Sequence, residues 1–536
     1  MEAPFPASEI VPPSRRSIFS FLAPKAGHTA GSAAVLLMMS SLLSGVLALV
    51  RTKYINYLFG AGAAQDAYRA AFTLPNLLNY FLIGGAASIS LITILNRYRE
   101  AGDDEGADRA LSVILTNMLV VLGAGVLLAE IFAPQYVVFA NKGFRGDVRA
   151  ELCTALTRLL IPVQVFIFIG SVMSARLQVR KIFIYQAFTP LLYNGGIILG
   201  ALLLHRQFNI FSLAYGALGG MLVGSALLNT LGALRTGLKL RPTINFRDPA
   251  FLEWFHLSLP LMIGVSLVMF DSIFMNYFAS VRVGGVTLIN NAKDLFNAPF
   301  NVIGPAAGAA SLPFFASLFQ TGRHYDFSAS VSRSVSRLFS VGLLVSAWMI
   351  ALAPWLMDIF RGGRFHRSDS VEMTKLFAVL SITLGIWAVQ GIYARAFYAA
   401  SDTRTPAIVG TSVTVLSIPL YWLLFRSQGL LGLAIASDVG ILAQTLSLAL
   451  LLHRKRLVSL LHLEGKEIAR SALAAICASV AIGFVAYRLP EAHSHSQDAL
   501  IIAVGSIIWA VVCFALLRLT GSKLPSQVLR KRGSTA

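Results

Sequence analysis

The chain has 536 residues, 56% of them hydrophobic and 13% charged, with a mean hydropathy of +0.70. A soluble chain carries about 25% charged residues, so this composition excludes a cytosolic enzyme, a secreted domain and a disordered protein. The 44 Lys and Arg against 25 Asp and Glu leave a net charge of +19. In a soluble protein that excess would suggest nucleic acid; in a membrane protein it is first tested as loop charge on one side.

Residues 1–31 are polar and Pro-rich and read as a cytoplasmic tail. Ser14-Arg15-Arg16-Ser17-Ile18-Phe19 looks superficially like a twin-arginine export signal, but no apolar region with a small-residue cleavage site follows at the usual distance. A helix crosses a bilayer with roughly 20 apolar residues. Apolar runs of that order fall at 33–50, 67–95, 110–133, 152–175, 183–204, 209–234, 256–279, 286–318, 335–357, 374–398, 406–425, 429–452, 468–488 and 498–520. The expected fold is therefore an all-α polytopic membrane protein of fourteen spans. Spans one to six make an N-lobe (32–234). A cytoplasmic linker (235–255) leads to a C-lobe of spans seven to twelve (256–452), spans thirteen and fourteen (453–520) and a basic tail (521–536). The second and eighth spans are longer than the bilayer requires and carry Pro75, Gly84, Gly85 and Pro299, Gly304, Pro305, Gly308. Bent or unwound helices are expected there, and irregular backbone at membrane depth lines a cavity.

Alternate loops differ in charge. The side holding both termini carries Arg97, Arg99, Arg176, Arg180, Lys239, Arg241, Lys455, Arg456 and Arg530-Lys531-Arg532 among others; the opposite side carries far fewer, such as Lys142, Arg145 and Arg149. The ratio is roughly two to one, which places both termini in the cytoplasm. Much of the positive charge is thus an orientation signal beside anionic lipid, and no nucleic-acid partner is expected.

The two halves show weak self-similarity. Asn56-Tyr57 is echoed by Asn276-Tyr277, and Pro75 with Gly85-Ala86-Ala87-Ser88 by Pro299 with Gly308-Ala309-Ala310-Ser311. Repeated halves with a site near the midplane between them are a common transporter plan.

No Walker A loop, H-E-x-x-H or G-x-S-x-G is present, so neither an enzyme nor a cofactor is expected. Cys153, Cys477 and Cys513 are isolated in apolar stretches and read as small core residues. His493 and His495 lack a nearby third metal ligand. The informative residues are charges within spans, each costly unless it faces protein or water. Arg51, Lys53, Asp66 and Arg69 lie in the first hairpin, Asp271 in the seventh span and Lys293-Asp294 in the eighth; Arg158, Arg395 and Asp438 are further candidates. Arg51 and Lys53 sit at a span end, where snorkelling competes with a ligand role. Lys293 and Asp294 point about 100° apart on a helix and cannot neutralise each other across one face. Cations in a central cavity suit an anionic head group such as a pyrophosphate. Acids there bind a coupling ion or pair with those cations.

The stretch from Ser44 to Pro75 contains Leu49-Val50-Arg51, Phe59-Gly60-Ala61-Gly62, Asp66-Ala67-Tyr68 and Ala71-Phe72-Thr73-Leu74-Pro75, followed by Asn76-Leu77-Leu78. It resembles the first hairpin of the MurJ (MviN) lipid II flippases, with their F-G-A-G…D-A-F…A-F-x-L-P-N-L-L pattern. Phe397-Tyr398-Ala399-Ala400-Ser401-Asp402-Thr403-Arg404-Thr405-Pro406 resembles that family's F-Y-S-x-x-D-x-x-T-P, and Ala298-Pro299…Gly304…Leu312-Pro313 its eighth span. The resemblance implies a V-shaped pair of six-helix lobes, with spans thirteen and fourteen forming a lipid-tail groove. It also implies alternating access that moves undecaprenyl-pyrophosphate-linked peptidoglycan precursor outward, driven by membrane potential or an ion gradient. Arg51 and Asp66 match family motif positions, with Arg69, Lys293 and Asp294 as further substrate-binding candidates and Asp271 as a coupling-ion candidate, near where some members bind sodium.

The departures are specific. Gly45 stands where the first family arginine sits, Thr52 replaces an aspartate, Asn79 an arginine, and Gly84 lies near an expected glutamate. Lys293-Asp294 stands in place of D-R, and the eleventh span offers Thr411, Ser412, Thr414 and Ser417 without the expected Asn or Asp. These losses keep three alternatives open beside the flippase: an exporter of another polyprenyl-linked glycan, a drug/ion antiporter of the same superfamily, and a transport-inactive membrane scaffold.

Overall fold

A computed structural model of the chain describes residues 30–79, 85–262, 267–308, 311–488 and 494–525. The tail 1–29, Gly84, His493 and the final basic run Arg530-Lys531-Arg532 lie outside them. The described residues form a helical bundle without a β-strand. In chain order the helices are α1 (Ala30–Phe59), α2 (Ala63–Ala71), α3 (Thr73–Leu78), α4 (Gly85–Glu100), α5 (Asp104–Ala140), α6 (Val148–Leu160) and α7 (Val163–Val179). Then come α8 (Ile184–Phe208), α9 (Phe211–Met221), α10 (Leu228–Arg235), α11 (Pro249–Met262), α12 (Leu267–Ala279), α13 (Gly285–Gly308) and α14 (Ser311–Gln320). The last are α15 (His324–Asp358), α16 (Arg367–Ile382), α17 (Leu384–Ala399), α18 (Arg404–Gln428), α19 (Leu430–Arg454), α20 (Gly465–Arg488) and α21 (His495–Leu519).

Among the described residues eleven stretches are long and apolar enough to cross a membrane. The second, seventh and eighth expected spans are not among them. They correspond to α2–α4, α11–α12 and α13–α14, which carry the polar side chains described below. The second span changes course at Phe72, between α2 and α3, and Pro75 falls in the first turn of α3, where its missing N–H is harmless. The eighth differs from expectation: α13 is helical from Gly285 to Gly308, so it is not unwound at Pro299, Gly304 or Pro305.

The internal repeat is written in the turns. Left-handed backbone occurs at Gly102, Lys181, Asn209 and Gly237, and again at Gly322, Ser401, Gly429 and Arg456. The offset is 220 residues for the first three pairs and one fewer for the last, and Asn56 and Asn276 share it. The matching turns leave matching helices. Asn209 ends α8 and Gly429 ends α18 at the same sharp reversal, which only Gly or a short polar residue adopts readily. The exits of both halves are strapped down alike. Lys239 N–H donates to Asp108 on α5 and Arg241 N–H to Ser112; 220 residues on from the first bond, Ser459 N–H donates to Ser328 on α15, and one helical turn further along than the second, Glu464 N–H donates to Ser336. One helical face of α5 and of α15 thus satisfies backbone N–H groups of a non-α-helical segment that has no sheet to join.

Phe251 and Trp254 of α11 are buried among Leu91, Leu95, Leu111 and Met173, all from the first half. α11, which begins inside the expected linker, therefore packs on α4 and α5, while α12 packs on α18 and α19. The α8–α9 hairpin packs through Gly196, Gly200, Gly216 and Gly220, the small-residue spacing that lets membrane helices touch backbone to backbone. The Asp402 motif has a local role. Its carboxylate accepts from Thr405 N–H (3.0 Å), Thr405 Oγ1 (2.7 Å) and Lys455 Nζ (2.6 Å), starting α18 and tying it to the end of α19. Burial alone would raise the Asp402 pKa, but these donors outweigh it and hold the carboxyl down at about 2.

Two outcomes follow from this packing. A Cβ at Gly216 would lie 2.4 Å from the Gly196 carbonyl oxygen, so Gly216→Leu should destabilise by about 1–3 kcal/mol, read as a lower melting midpoint in detergent. Asp402→Ala should cost about 1 kcal/mol at neutral pH. The group's pKa is depressed in the fold, so its contribution is complete above the unfolded value of about 3.9 and lost as pH falls toward 2. The melting difference between Asp402→Ala and wild type should therefore shrink across that acidic window.

Candidate functional site

The two halves meet at one end of the bundle, where the loops after α1, α5, α12 and α15 come together. Gly60 adopts a left-handed φ of 63° against the Arg364 backbone, and a Cβ there would lie 2.3 Å from the Arg364 carbonyl oxygen. Gly284 (φ 82°) approaches the Ala61 carbonyl in the same way. Only glycine combines that backbone with that proximity. Asp66 of α2 reaches across the boundary to the N-terminus of α13. Its Oδ1 accepts from Thr287 N–H (2.9 Å) and Thr287 Oγ1 (2.7 Å), and its Oδ2 from Gly284 N–H (2.6 Å). Arg149 of α6 stands 3.5 Å from the same carboxylate and donates to the Ser280 carbonyl at 3.0 Å. Asp66 and Arg149 are 0% and 3% exposed. A carboxylate at a helix N-terminus meets both the unpaired N–H groups and the positive end of the dipole. The first half thus caps a helix of the second.

A cavity of about 880 Å³ lies beside this seal, between the halves. It extends from Arg51 and Ile55 of α1 toward Tyr398 at the far end of α17. Asn290, Lys293, Asp294 and Asn297 line it from α13, the i, i+3, i+4, i+7 spacing of one helical face. Among the described residues, Arg51, Arg69, Lys293 and Arg395 supply four lining cations against the one lining carboxylate of Asp294. Each has a distinct setting. Arg69 donates to Asp294 (2.7 Å) and to Asn291 (2.6 Å), linking the halves. Asn291 also donates to Asn56 (2.9 Å), which accepts from Gln65 (2.7 Å), so a buried amide network backs the arginine. Lys293 donates to Asp271 and to Ser272 Oγ (2.9 Å). Arg51 donates to the neutral Asn194 (2.9 Å). Arg395 has no ion-pair partner among the described residues.

The residues singled out in the sequence are therefore divided. Arg51, Arg69, Lys293 and Asp294 converge on the cavity; Asp66 and Asp271 do not line it. Asp66 belongs to the seal, because all of its acceptor capacity faces α13 and Arg149. Asp271 is buried behind Lys293, with Tyr421 donating to its second oxygen. Lys53 also stays outside the cavity, Arg158 pairs loosely with Glu130 (3.9 Å), and Asp438 accepts from Thr383. Arg149 read as one loop charge among many, since nothing in its flanking sequence marks burial. Tyr193 of the lining falls within an apolar run and carries no sequence signal, whereas Tyr68 stands in the Asp66-Ala67-Tyr68 motif without its place in the lining being marked.

Membrane-spanning helices in two repeated halves, sealed at one end over a charged cavity, define a transporter of the alternating-access kind. A family model described as "Lipid II flippase MurJ" matches residues 55–503. "Lipid II flippase MurJ" of Burkholderia cenocepacia is 28% identical, covering 77% of this chain and 82% of its own length. "Probable lipid II flippase MurJ" of Vibrio cholerae is 26% identical, covering 85% and 88%. Among solved structures, "Lipid II flippase MurJ, inward closed conformation" superposes with a TM-score of 0.72 at 19% identity, over 90% of this chain and 99% of the other. An inward-facing MATE multidrug transporter of the MOP superfamily superposes with a TM-score of 0.62 at 15% identity, over 79% and 98%. The chain belongs to the MurJ family.

The seal can be tested directly. In Asp66→Asn the amide NH₂ must face the donors on α13, and leaving such buried groups mismatched costs about 1–3 kcal/mol. Loss of about 1.4 kcal/mol changes a two-state population roughly tenfold. A cysteine placed at Asn290 should therefore react about tenfold faster with an impermeant thiol reagent applied from the sealed side.

Proposed function

We propose that this chain is a lipid II flippase of the bacterial inner membrane, moving undecaprenyl-pyrophosphate-linked peptidoglycan precursor from the cytoplasmic to the outer leaflet. The observation that carries this reading is the cation-rich cavity between the halves, together with membership of the MurJ family. The charge bias of the loops supports cytoplasmic termini. In that orientation the seal lies on the periplasmic side and the cavity is reached from the cytoplasm, the state in which a precursor made inside would enter. A pyrophosphate is recognised by converging charge-assisted donors. Arg51 and Arg395 are the first to meet it, because neither is held by a carboxylate. Arg69 and Lys293 join on release from Asp294 and Asp271. Asn76, Asn276, Asn290, Asn297 and Gln390 on the cavity wall are neutral donors and acceptors suited to sugar hydroxyls.

The division into an N-lobe, a C-lobe and a terminal helix pair belongs to the same reading. α20 packs on both α15 and α21. Its outer face carries exposed Ile476, Val480 and Phe484, and α21 exposes Ile507 and Val511. An isoprenoid tail runs along that surface while the head group occupies the cavity. Passage of the head group then requires the Asp66 seal to open and the opposite end to close, with the pairs Arg69–Asp294 and Lys293–Asp271 re-forming after release.

In a bacterium depleted of its own flippase, this chain should restore growth and the exposure of labelled lipid II at the outer leaflet. Arg51→Ala and Arg395→Ala should each lower that exposure by roughly 10- to 100-fold, the worth of one charge-assisted hydrogen bond. Equal membrane levels on a blot keep insertion out of the comparison. Correctly inserted wild type that leaves the precursor inside would refute the assignment.

A further inference from the structure

A buried acid behind the wall of a transporter's cavity is a place to look for a monovalent coupling cation, and the residues around Asp271 argue otherwise. Both oxygens of Asp271 are taken. Oδ2 accepts from the Lys293 ammonium and Oδ1 from the Tyr421 hydroxyl. The carboxylate is fully buried, and Lys293, 8% exposed, stands between it and the cavity. Asp438, which accepts from Thr383, does not line the cavity either. Without the ammonium, these oxygens are a donor set for a hard monovalent cation; with it, the positive charge is already present.

We propose that Lys293 is a tethered cation that fills the place of a free coupling ion at Asp271, and that this chain binds no sodium there. The Lys293 side chain is long, unbranched and carries three donors on one rotatable nitrogen, so it can reach either Asp271 or an anion in the adjoining cavity. An arriving diphosphate and Asp271 then compete for one ammonium. The exchange takes the role that entry and exit of a free cation would otherwise have, and it breaks no covalent bond. Direction of exchange rests on the flippase reading, but occupancy of Asp271 does not, and the experiment below reads occupancy alone.

Purified protein in detergent is melted in NaCl and in choline chloride at equal ionic strength. Wild type should melt at the same temperature in both. Lys293→Ala exposes Asp271 to solute, so sodium should now stabilise it, raising its midpoint by about 2 °C or more over choline at saturating salt. Asp271→Asn combined with Lys293→Ala removes both charges and should fold in either salt without a sodium effect. Lys293→Ala that can be recovered only in sodium supports the proposal equally. Sodium-specific stabilisation of wild type would overturn it. So would a folded Lys293→Ala that ignores sodium, failure of that variant in both salts while the double variant folds, or failure of the double variant itself.

Discussion

A charge taken into hydrocarbon has to find water or an opposite charge. Most of the deep charges of this chain find their partners far away in sequence. Arg69 meets Asp294 across 225 residues. Asp66 meets the N-terminus of α13 across about the same distance, and Arg149 lies beside it. A buried ion pair is weak evidence for stability, because desolvation offsets much of the attraction. Its strength is in registry. If the halves slid by one helical turn, Asp66 would lose its donors on α13 and Arg69 would lose Asp294 and Asn291. The seal is therefore specified by charge matching, and the apolar helices around it supply bulk and not position.

The frame on which these charges are mounted is close to a duplicate. Turns recur at a constant offset, and α5 and α15 each strap down the segment that leaves their half. The residues that matter for the cavity break this symmetry. The first half contributes Arg51 and Arg69, and the second contributes Lys293, Asp294 and Arg395. An asymmetric ligand, with an anionic head and a long apolar tail, calls for an asymmetric site. A repeated scaffold allows the site to change while the joints on which movement depends stay the same. Positions 45 and 79 carry Gly and Asn, and the four cations that face the cavity come from α1, α2, α13 and α17.

Much of this was legible in the chain. Apolar run length gives the spans, because each must satisfy its own backbone within the membrane. Helical spacing puts Asn290, Lys293, Asp294 and Asn297 on one face. The 100° between Lys293 and Asp294 already implies separate partners, and the structure provides Arg69 for one and Asp271 for the other. The functions of Asp66 and Arg149 were not legible. A carboxylate in a first helical turn reads as a local cap or a ligand, and no local pattern says that it caps a helix more than 200 residues on. Nor does an apolar run report which half it packs against, so the attachment of α11 to the first half had to be seen.

The sequence by itself determined that this is a polytopic helical membrane protein with a repeated plan, a biased distribution of loop charge and a handful of buried cations. Those properties are local or additive, and composition, run length and spacing carry them. Only the tertiary structure decided which charges seal the halves, which line the cavity and which are held back by a partner. Those assignments depend on distances between residues that the chain separates by hundreds of positions. In a medium of low dielectric constant, a few ångströms decide whether a charge is a strut, a switch or a free donor.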